Sequence, residues 1–416
     1  MKKLLFAGLA AAAFNSTFAA GFGIYEASAR GNAMGGALVG STRDASAAYY
    51  NPANVTEITN VSFLVGVTFI NPFCDAEVDG RSQTKMNPGW FAVPTVYYTI
   101  PLPLGFTFSG GNYCEFGLGT KYGNHWDLAG DTVETTMEQY TFNPNLSRKL
   151  TDWWSLGAGL RVSCITFNNK KRPYSGDSYA TPLGVIPNAY NLHSELDGDD
   201  VSLGYNIGSQ FKLLDNLSLG VVYRSHLKHK IQGTFNMSGS VVGMHQYVHL
   251  PASAKLELPQ SLSVGLNWDA TETWRFGTVA TWTDWSSVDN IKFVIPRYGY
   301  SLPLKWKDAW RFGFGAEHDI TDTVALRASY IYDMDPSGSH GTTMLPAGDR
   351  HIIGTGVGWN IWRTLRLDIG YSFIIMERSS RDVYLTSGLT GQRYSKHFSA
   401  DNSYSHLVSA SLSYTF

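Results

Sequence analysis

The sequence predicts an all-β chain: a transmembrane antiparallel β-barrel of about 14 strands, with an N-terminal hatch segment inside its lumen. Three observations carry this: apolar and small or polar residues alternate strictly in segment after segment, short and long connections alternate along the chain, and the composition is unlike that of a soluble domain. Of 416 residues, 16% are charged and 14% aromatic, and 42 are Gly. Ordinary soluble domains carry about 25% charged residues and about 7% Gly. Disorder requires high charge with few aromatics, and a helical membrane protein requires repeated apolar runs of about 20 residues, so both classes are excluded. The formal net charge of -2 gives no sign of nucleic acid as a partner.

The first element is a targeting segment. Lys2 and Lys3 precede the apolar stretch Leu4 to Phe14, followed by Asn15-Ser16-Thr17-Phe18-Ala19. A charged start, a short apolar core and small residues at the cut mark a secretory signal peptide over residues 1–19. Residues 20–60 lack alternation and are rich in Gly, Ala, Ser and Asn. Arg30, Asn32, Arg43 and Asp44 interrupt any apolar 20-mer there, so this segment reads as a hatch inside the lumen rather than a spanning helix.

Residues 61–416 carry the strands. Val408, Ala410, Leu412, Tyr414 and Phe416 fall on one face of the last strand, and Leu407, Ser409, Ser411, Ser413 and Thr415 on the other. The pattern recurs at Trp154 to Ser163 and at Leu365 to Phe373. A period of two is a strand with two different surroundings. Because the second face is mainly Gly and Ser, the apolar face meets lipid and the other face meets the lumen. Arg161, Arg275, Arg311, Arg327 and Arg366 share the lumenal parity, and Trp153, Trp154, Trp268, Trp274, Trp282, Trp310 and Trp359 supply interface girdles.

Short links fall near 100–104, 149–152, 213–217, 269–274, 318–323 and 359–364. Seven long extracellular loops fall near 71–89, 120–135, 166–199, 230–252, 284–309, 333–350 and 378–404. This alternation gives about 14 strands with both termini on the short-turn, periplasmic side of a Gram-negative outer membrane, provided that Ala252–Leu258 and Gln260–Trp268 form one strand across Pro259. Cys74, Cys114 and Cys164 are too few and too widely spaced for a disulfide framework or a zinc site, and their spacing selects no pairing. No cofactor or metal motif occurs, and none of the 11 His forms a hydrolase motif with Ser, so no catalytic residue is assigned.

Several stretches in order resemble the FadL-type transporters of the Gram-negative outer membrane, which carry long-chain fatty acids or aromatic hydrocarbons. They include Ala20-Gly21-Phe22, Asn51-Pro52-Ala53, Leu258-Pro259-Gln260-Ser261, Thr281 to Ser286, Trp306-Lys307-Asp308-Ala309-Trp310-Arg311, Pro346-Ala347-Gly348-Asp349-Arg350 and Tyr414-Thr415-Phe416. The resemblance implies a 14-stranded barrel with a hatch. It also implies passive import: a hydrophobic ligand is captured by the loops, passes to a barrel pocket gated by the hatch, and leaves sideways through a kink in the third strand. Phe22 then resembles the gate, and Asn51, Pro52 and Ala53 the hatch motif, which also suits a structural turn. Gly110 and Gly111 interrupt alternation in the third strand and are the kink candidates. Here the family usually has Pro before Phe-Gly, whereas this chain has Glu115-Phe116-Gly117.

For a carboxylate headgroup, the resemblance points to Arg172, Lys307, Asp349 and Arg350, although a lumenal or loop ion pair is the simpler reading of each. Tyr174, Tyr179, Tyr190, Phe293, Tyr298 and Tyr300 are candidates to line an outer groove. Implied partners are a long-chain fatty acid or other hydrophobic ligand, outer-membrane lipid, and the barrel-assembly machinery that reads the terminal aromatic. Alternatives are an aromatic or alkane hydrocarbon channel, an outer-membrane lipid hydrolase and a general porin. Porins generally have 16 to 18 strands and an open lumen, which a hatch would block.

Overall fold

The computed structural model describes residues 21–416 except 87–88, 298, 339, 346–347 and 388–389. The expected signal peptide, Ala20, Tyr298, Pro346 and Ala347 lie outside the described residues. Fourteen wall strands close into an antiparallel barrel. In chain order they are β1 (Ser62–Val78), β2 (Phe91–Pro101), β3 (Phe106–Tyr113, resuming as Gly117–Lys121), β4 (Glu134–Lys149) and β5 (Trp154–Lys171). There follow β6 (Tyr190–Leu214), β7 (Leu217–Arg224, resuming as Leu227–Val241), β8 (Met244–Leu258, resuming as Ser261–Asp269) and β9 (Trp274–Thr283). The wall ends with β10 (Ala309–Asp319), β11 (Val324–Asp333), β12 (Arg350–Asn360), β13 (Leu365–Met376) and β14 (Arg393–Thr415). Closure is made by β14 against β1, in register from Ser62↔Thr415 to Phe73↔Tyr404. A closed sheet leaves no free edge in hydrocarbon, which is the condition for a β-structure to span a membrane.

The period-two pattern sorts as expected. Val408, Leu412 and Tyr414 are exposed while Leu407, Ser409, Ser411 and Ser413 are buried. At the short-turn rim Trp153 stacks with Trp154, and Trp274 with Phe276, so aromatic planes gather at the membrane interface. At the other end Trp282 and Trp310 face each other in register. The strands on either side of Pro259 keep one register with β7, pairing Leu227↔Leu258 and Leu217↔Trp268, so β8 is one strand bent at the proline.

Stretches read as long loops carry paired strand at several places. Residues 230–252 are largely strand: β7 and β8 run to a two-residue turn at Val242 and Gly243, both at positive φ, as a hairpin turn requires. A similar turn at Asp79 and Gly80 joins β1 to a strand over Arg81–Met86, and Ser379–Thr386 pairs with the upper half of β14. Alternation fades in these projections because beyond the membrane both faces are wet.

Residues 21–60 run through the lumen as short turns, a five-residue helix α1 (Ala29–Ala33), a four-residue helix α2 (Ala47–Tyr50) and a 3₁₀ turn over Pro52–Glu57. Their backbone lies directly against the wall, and glycine makes that possible. A Cβ on Gly220 would stand 2.0 Å from the Val39 carbonyl oxygen, and one on Gly277 would stand 2.1 Å from that of Ala37. One on Gly313 would stand 2.4 Å from the Gly35 oxygen. These inward glycines are sites of close backbone approach. Ion pairs fix the other side: Arg30 Nη2 lies 3.1 Å from Glu317 Oε1, and Arg30 Nη1 lies 3.5 Å from Asp44. Glu317 also accepts from Arg275 and Arg327, so these three lumenal arginines are compensated in place.

Candidate functional site

The site begins at a break in the wall. β2 and β3 pair from Pro101↔Thr107 to Val96↔Asn112 and no further among the described residues, so Phe91–Thr95 pairs only with β1. Against β4, Tyr113 pairs with Thr141 and Gly117 with Glu138. Three residues, Cys114 to Phe116, therefore oppose two, which is a bulge that bends its strand. Gly110 and Gly111 are in unbroken register on both sides, so the kink assigned to them belongs to the following triplet. Their own reason is steric: a Cβ on Gly110 would stand 2.5 Å from the Tyr98 hydroxyl, and one on Gly111 would stand 2.3 Å from the Tyr97 ring.

Side chains hold the bulge. The Gln139 carbonyl oxygen accepts from the freed amides of Glu115, at 3.0 Å, and Phe116, at 3.3 Å. The Glu115 carboxylate accepts from Thr141 Oγ1 at 2.9 Å and from Arg161 Nε at 3.2 Å, and lies 3.5 Å from Arg224 Nε. The chain's own N-terminal residues then cover the bulge. Ile24 N donates to the Glu115 oxygen at 2.7 Å and Gly117 N donates to the Phe22 oxygen at 2.8 Å.

That pairing places the Phe22 ring, 3% exposed, among Phe116, Trp285 and Trp306, with centroids 6.2, 5.0 and 5.3 Å away. The four rings form the floor of an apolar cluster that includes Met137, Ile165, Leu196 and Ile231. Above it, open to the long-loop side, is a cavity of about 1080 Å³ bordered by Leu192, Leu196, Phe235, Ile295 and Leu302. Leu196 and Ile295 belong to the cluster, and Phe235 and Leu302 pack on it, so an apolar strip, flanked in the outer cavity by Asp131, Lys171, Lys305 and Arg393, runs from there to the Phe22 cluster. Phe116 and Trp285 also border a second cavity of about 50 Å³, lined besides by Tyr25, Glu115, Arg224, Ser263 and Arg311.

Trp285 is positioned by Asp284, whose carboxylate accepts from Gln260 Nε2 at 2.9 Å and Ser286 Oγ at 2.9 Å and meets His226 Nε2 at 3.1 Å. His226 and Gln260 sit at the breaks of β7 and β8, so one carboxylate ties both bends to this loop. Burial raises the Asp284 pKa, but these hydrogen bonds and the nearby imidazole outweigh it and hold the carboxyl below its ordinary value.

The remaining residues singled out in the sequence lie as follows. Asn51, Pro52 and Ala53 are buried; Asn51 Nδ2 donates to the Val39 and Ser209 oxygens, and its Oδ1 accepts from Ala53 N at 3.0 Å, capping the 3₁₀ turn. Arg172 is bound at the outer rim to Asn191 Oδ1, at 2.7 Å, and faces His125. Lys307 is exposed, while its neighbour Trp306 points inward. Arg350 is buried against Asp333, whereas Asp349, one residue earlier, accepts from Tyr332 Oη and Asp335 N. The structure does not bring these four together. Tyr174 borders the outer cavity and Phe293 lies in the apolar cluster. Cys74, Cys114 and Cys164 are free thiols. Gln139, Arg161, Arg224, Trp285 and Arg311 were not singled out as site residues; the departure Glu115-Phe116-Gly117 is the one sequence signal that coincides with the bulge.

Residues 10–416 match the family described as outer membrane protein transport protein (OMPP1/FadL/TodX). The chain belongs to this family. It is 23% identical over 401 residues to a long-chain fatty acid transport protein of Escherichia coli, covering 86% of this chain and 87% of that one. It is 23% identical over 393 residues to a 47 kDa outer membrane protein of Pasteurella multocida, covering 89% and 90%. The fold resembles the crystal structure of a Pseudomonas aeruginosa FadL homologue, with TM-score 0.83 and 21% identity over 95% of this chain and 100% of that one. It also resembles the Pseudomonas putida toluene transporter TodX, with TM-score 0.71 and 18% identity over 95% and 99%. The protein is thus a transporter of hydrophobic compounds in the outer membrane of a Gram-negative bacterium.

Proposed function

We propose that this member imports long-chain fatty acids or related hydrophobic molecules passively, with residues 21–60 acting as a hatch and Phe22 as its gate. The observation that carries this is the apolar strip from the outer cavity to the Phe22 cluster, ending beside a wall strand that has lost its pairing with β2. A ligand captured among the loops moves down that strip and displaces Phe22. It leaves between Phe91–Thr95 and the bulge into the outer leaflet. Burial drives the process, at about 0.8 kcal/mol per CH₂.

Uptake of a labelled long-chain fatty acid by cells with and without the gene tests this. Faster uptake with the gene is expected, and no difference overturns the fatty-acid assignment. A second reading, aromatic-hydrocarbon uptake, draws support from the ring floor of Phe22, Phe116, Trp285 and Trp306 and from the likeness to the toluene transporter. It predicts gene-dependent toluene uptake in the same cells.

A further inference from the structure

The outward face of the wall carries a row of lysines that strand pairing forces together. Lys230 on β7 stands opposite Lys255 on β8, and Lys255 stands opposite Lys292 on the short strand Asn290–Val294. Their neighbours in the same register, Ile231, Ala254 and Phe293, are buried in the apolar cluster, so the three lysines point away from the lumen, where they are exposed. A period of two leaves them no other face. None of the three ammonium groups ion-pairs with a carboxylate among the described residues. One outward pair nearer the membrane the charges are opposite, since Lys228 faces Glu257 with Nζ 3.2 Å from Oε1. Asp199, a carboxylate on the same face, stands opposite Gln232 instead. Like charges directly opposite each other on neighbouring strands are destabilising, and here that happens twice in one row.

The height of the row says what neutralises it. Tyr223, Leu262, Trp282 and Trp310 lie in one register across β7 to β10 and mark the outer aromatic girdle. Lys255 is seven residues past Leu262 along β8. At about 3.3 Å per residue in a strand tilted by about 40°, and allowing for the bend at Pro259, the row stands roughly 10–20 Å beyond the girdle. A phospholipid headgroup layer is only about 5–8 Å deep, so its phosphates lie below the row. The anion that matches is a phosphate carried further out on a sugar, as in the phosphorylated oligosaccharide of an outer-leaflet glycolipid. Such a molecule packs sideways against the barrel, and cations in a line suit a run of phosphates.

We infer that Lys230, Lys255 and Lys292 form a docking row for the phosphorylated sugar of an outer-leaflet glycolipid, whatever the cargo of the barrel. Binding replaces two like-charge oppositions with charge-assisted contacts spread over three strands. Because Ile231, Ala254 and Phe293 sit on the inner face of those strands, a glycolipid on the outside braces the wall of the apolar cluster.

The test uses the mature full-length protein in a non-ionic detergent and purified lipopolysaccharide, intact or with its phosphates removed, read by equilibrium binding and by thermal unfolding. The variants are the triple Lys230→Gln, Lys255→Gln, Lys292→Gln and a charge-matched control at the short-turn rim, Lys149→Gln, Lys212→Gln, Arg363→Gln. A lysine beside an anionic membrane surface contributes about fivefold to binding, so the triple variant is expected to bind intact lipopolysaccharide at least about tenfold more weakly than wild type, with the control within about twofold. Without glycolipid the triple variant should melt no lower than wild type, because its like-charge oppositions are gone. Equal binding by wild type and triple variant overturns the inference, and so does equal binding of intact and dephosphorylated lipopolysaccharide by wild type. A loss in the control as large as in the triple variant also overturns it, since net charge alone would then account for the effect. Inorganic phosphate or phosphatidylglycerol vesicles that stabilise wild type as much as lipopolysaccharide does overturn the glycolipid as occupant. If the triple variant does not assemble, the same comparison on Lys255→Gln decides.

Discussion

The ring of Phe22 meets that of Trp285 edge to face, with centroids 5.0 Å apart and planes at 89°. This joins the N-terminal segment to the loop after β9, more than 260 residues away in sequence. Trp285 also borders the small cavity that Arg224 and Arg311 line. Phe22→Ala is expected to weaken the native packing by about 3 kcal/mol, as removal of a buried aromatic does, and to admit ligand without a gate. Faster fatty-acid uptake or a new single-channel conductance in planar bilayers would show it. Unchanged uptake and unchanged conductance would remove Phe22 from the gate.

Gln139 carries the bulge, since its one carbonyl oxygen satisfies two amides that the β3 ladder has released. Gln139→Leu keeps the bulk and removes the acceptor, leaving two buried N–H groups at a cost of about 1–3 kcal/mol each. The chain is expected to shed this cost by restoring pairing across the break, which closes the side exit. Slower uptake by a correctly folded, heat-modifiable barrel is the predicted result. Normal uptake would place the exit elsewhere.

How far these features were legible in the sequence differs residue by residue. The strand count was legible because lipid and lumen impose opposite demands on alternate residues, as in Leu407 to Phe416, and because turns on one rim are short. The pair Gly110-Gly111 misled, since a glycine pair in a strand signals either a bulge or room for a neighbour, and here it makes room for Tyr97 and Tyr98. Lumenal glycine was legible as small and inward, but not its close approach to the backbone of residues 35–40. The pairing of Arg30 with Glu317 had no sequence signal, because a spacing of hundreds of residues carries no periodicity.

Glu317 is the acceptor for Arg30, Arg275 and Arg327 together. Glu317→Leu leaves three guanidiniums short of a counter-charge, and breaking a buried pair in this way costs about 3–5 kcal/mol. A lowered unfolding temperature, with earlier proteolysis of residues 21–60, is expected. A variant as stable as wild type would mean that Asp44, Asp319 and Asp368 suffice.

Acid should loosen the loop that carries Trp285. The Asp284 carboxyl lies below its ordinary value, so its contribution is fully present above about pH 3.9 and is lost as pH falls through the lower, folded-state value. Asp284→Asn lacks this contribution at every pH. The gap in thermal stability between wild type and the variant should therefore be constant near neutrality and shrink at pH 3 and below. A gap equally wide at pH 7 and at pH 2.5 would contradict the assignment.

The inward glycines make the sharpest structural test of the hatch. At Gly220 and Gly277 the atom nearest an added methyl is a backbone carbonyl oxygen of the N-terminal segment, which no side-chain rotation can move aside. At Gly123, by contrast, the nearest atom to an added Cβ is 3.6 Å away, which is ordinary contact. Overpacking of the first kind costs about 1–3 kcal/mol, and the cheapest relief is for residues 37–40 to leave the wall. Gly220→Ala and Gly277→Ala should therefore assemble as barrels but expose the N-terminal segment to protease and pass ions, while Gly123→Ala behaves as wild type. Wild-type protease resistance and conductance in all three would show that the wall, rather than the segment, gives way.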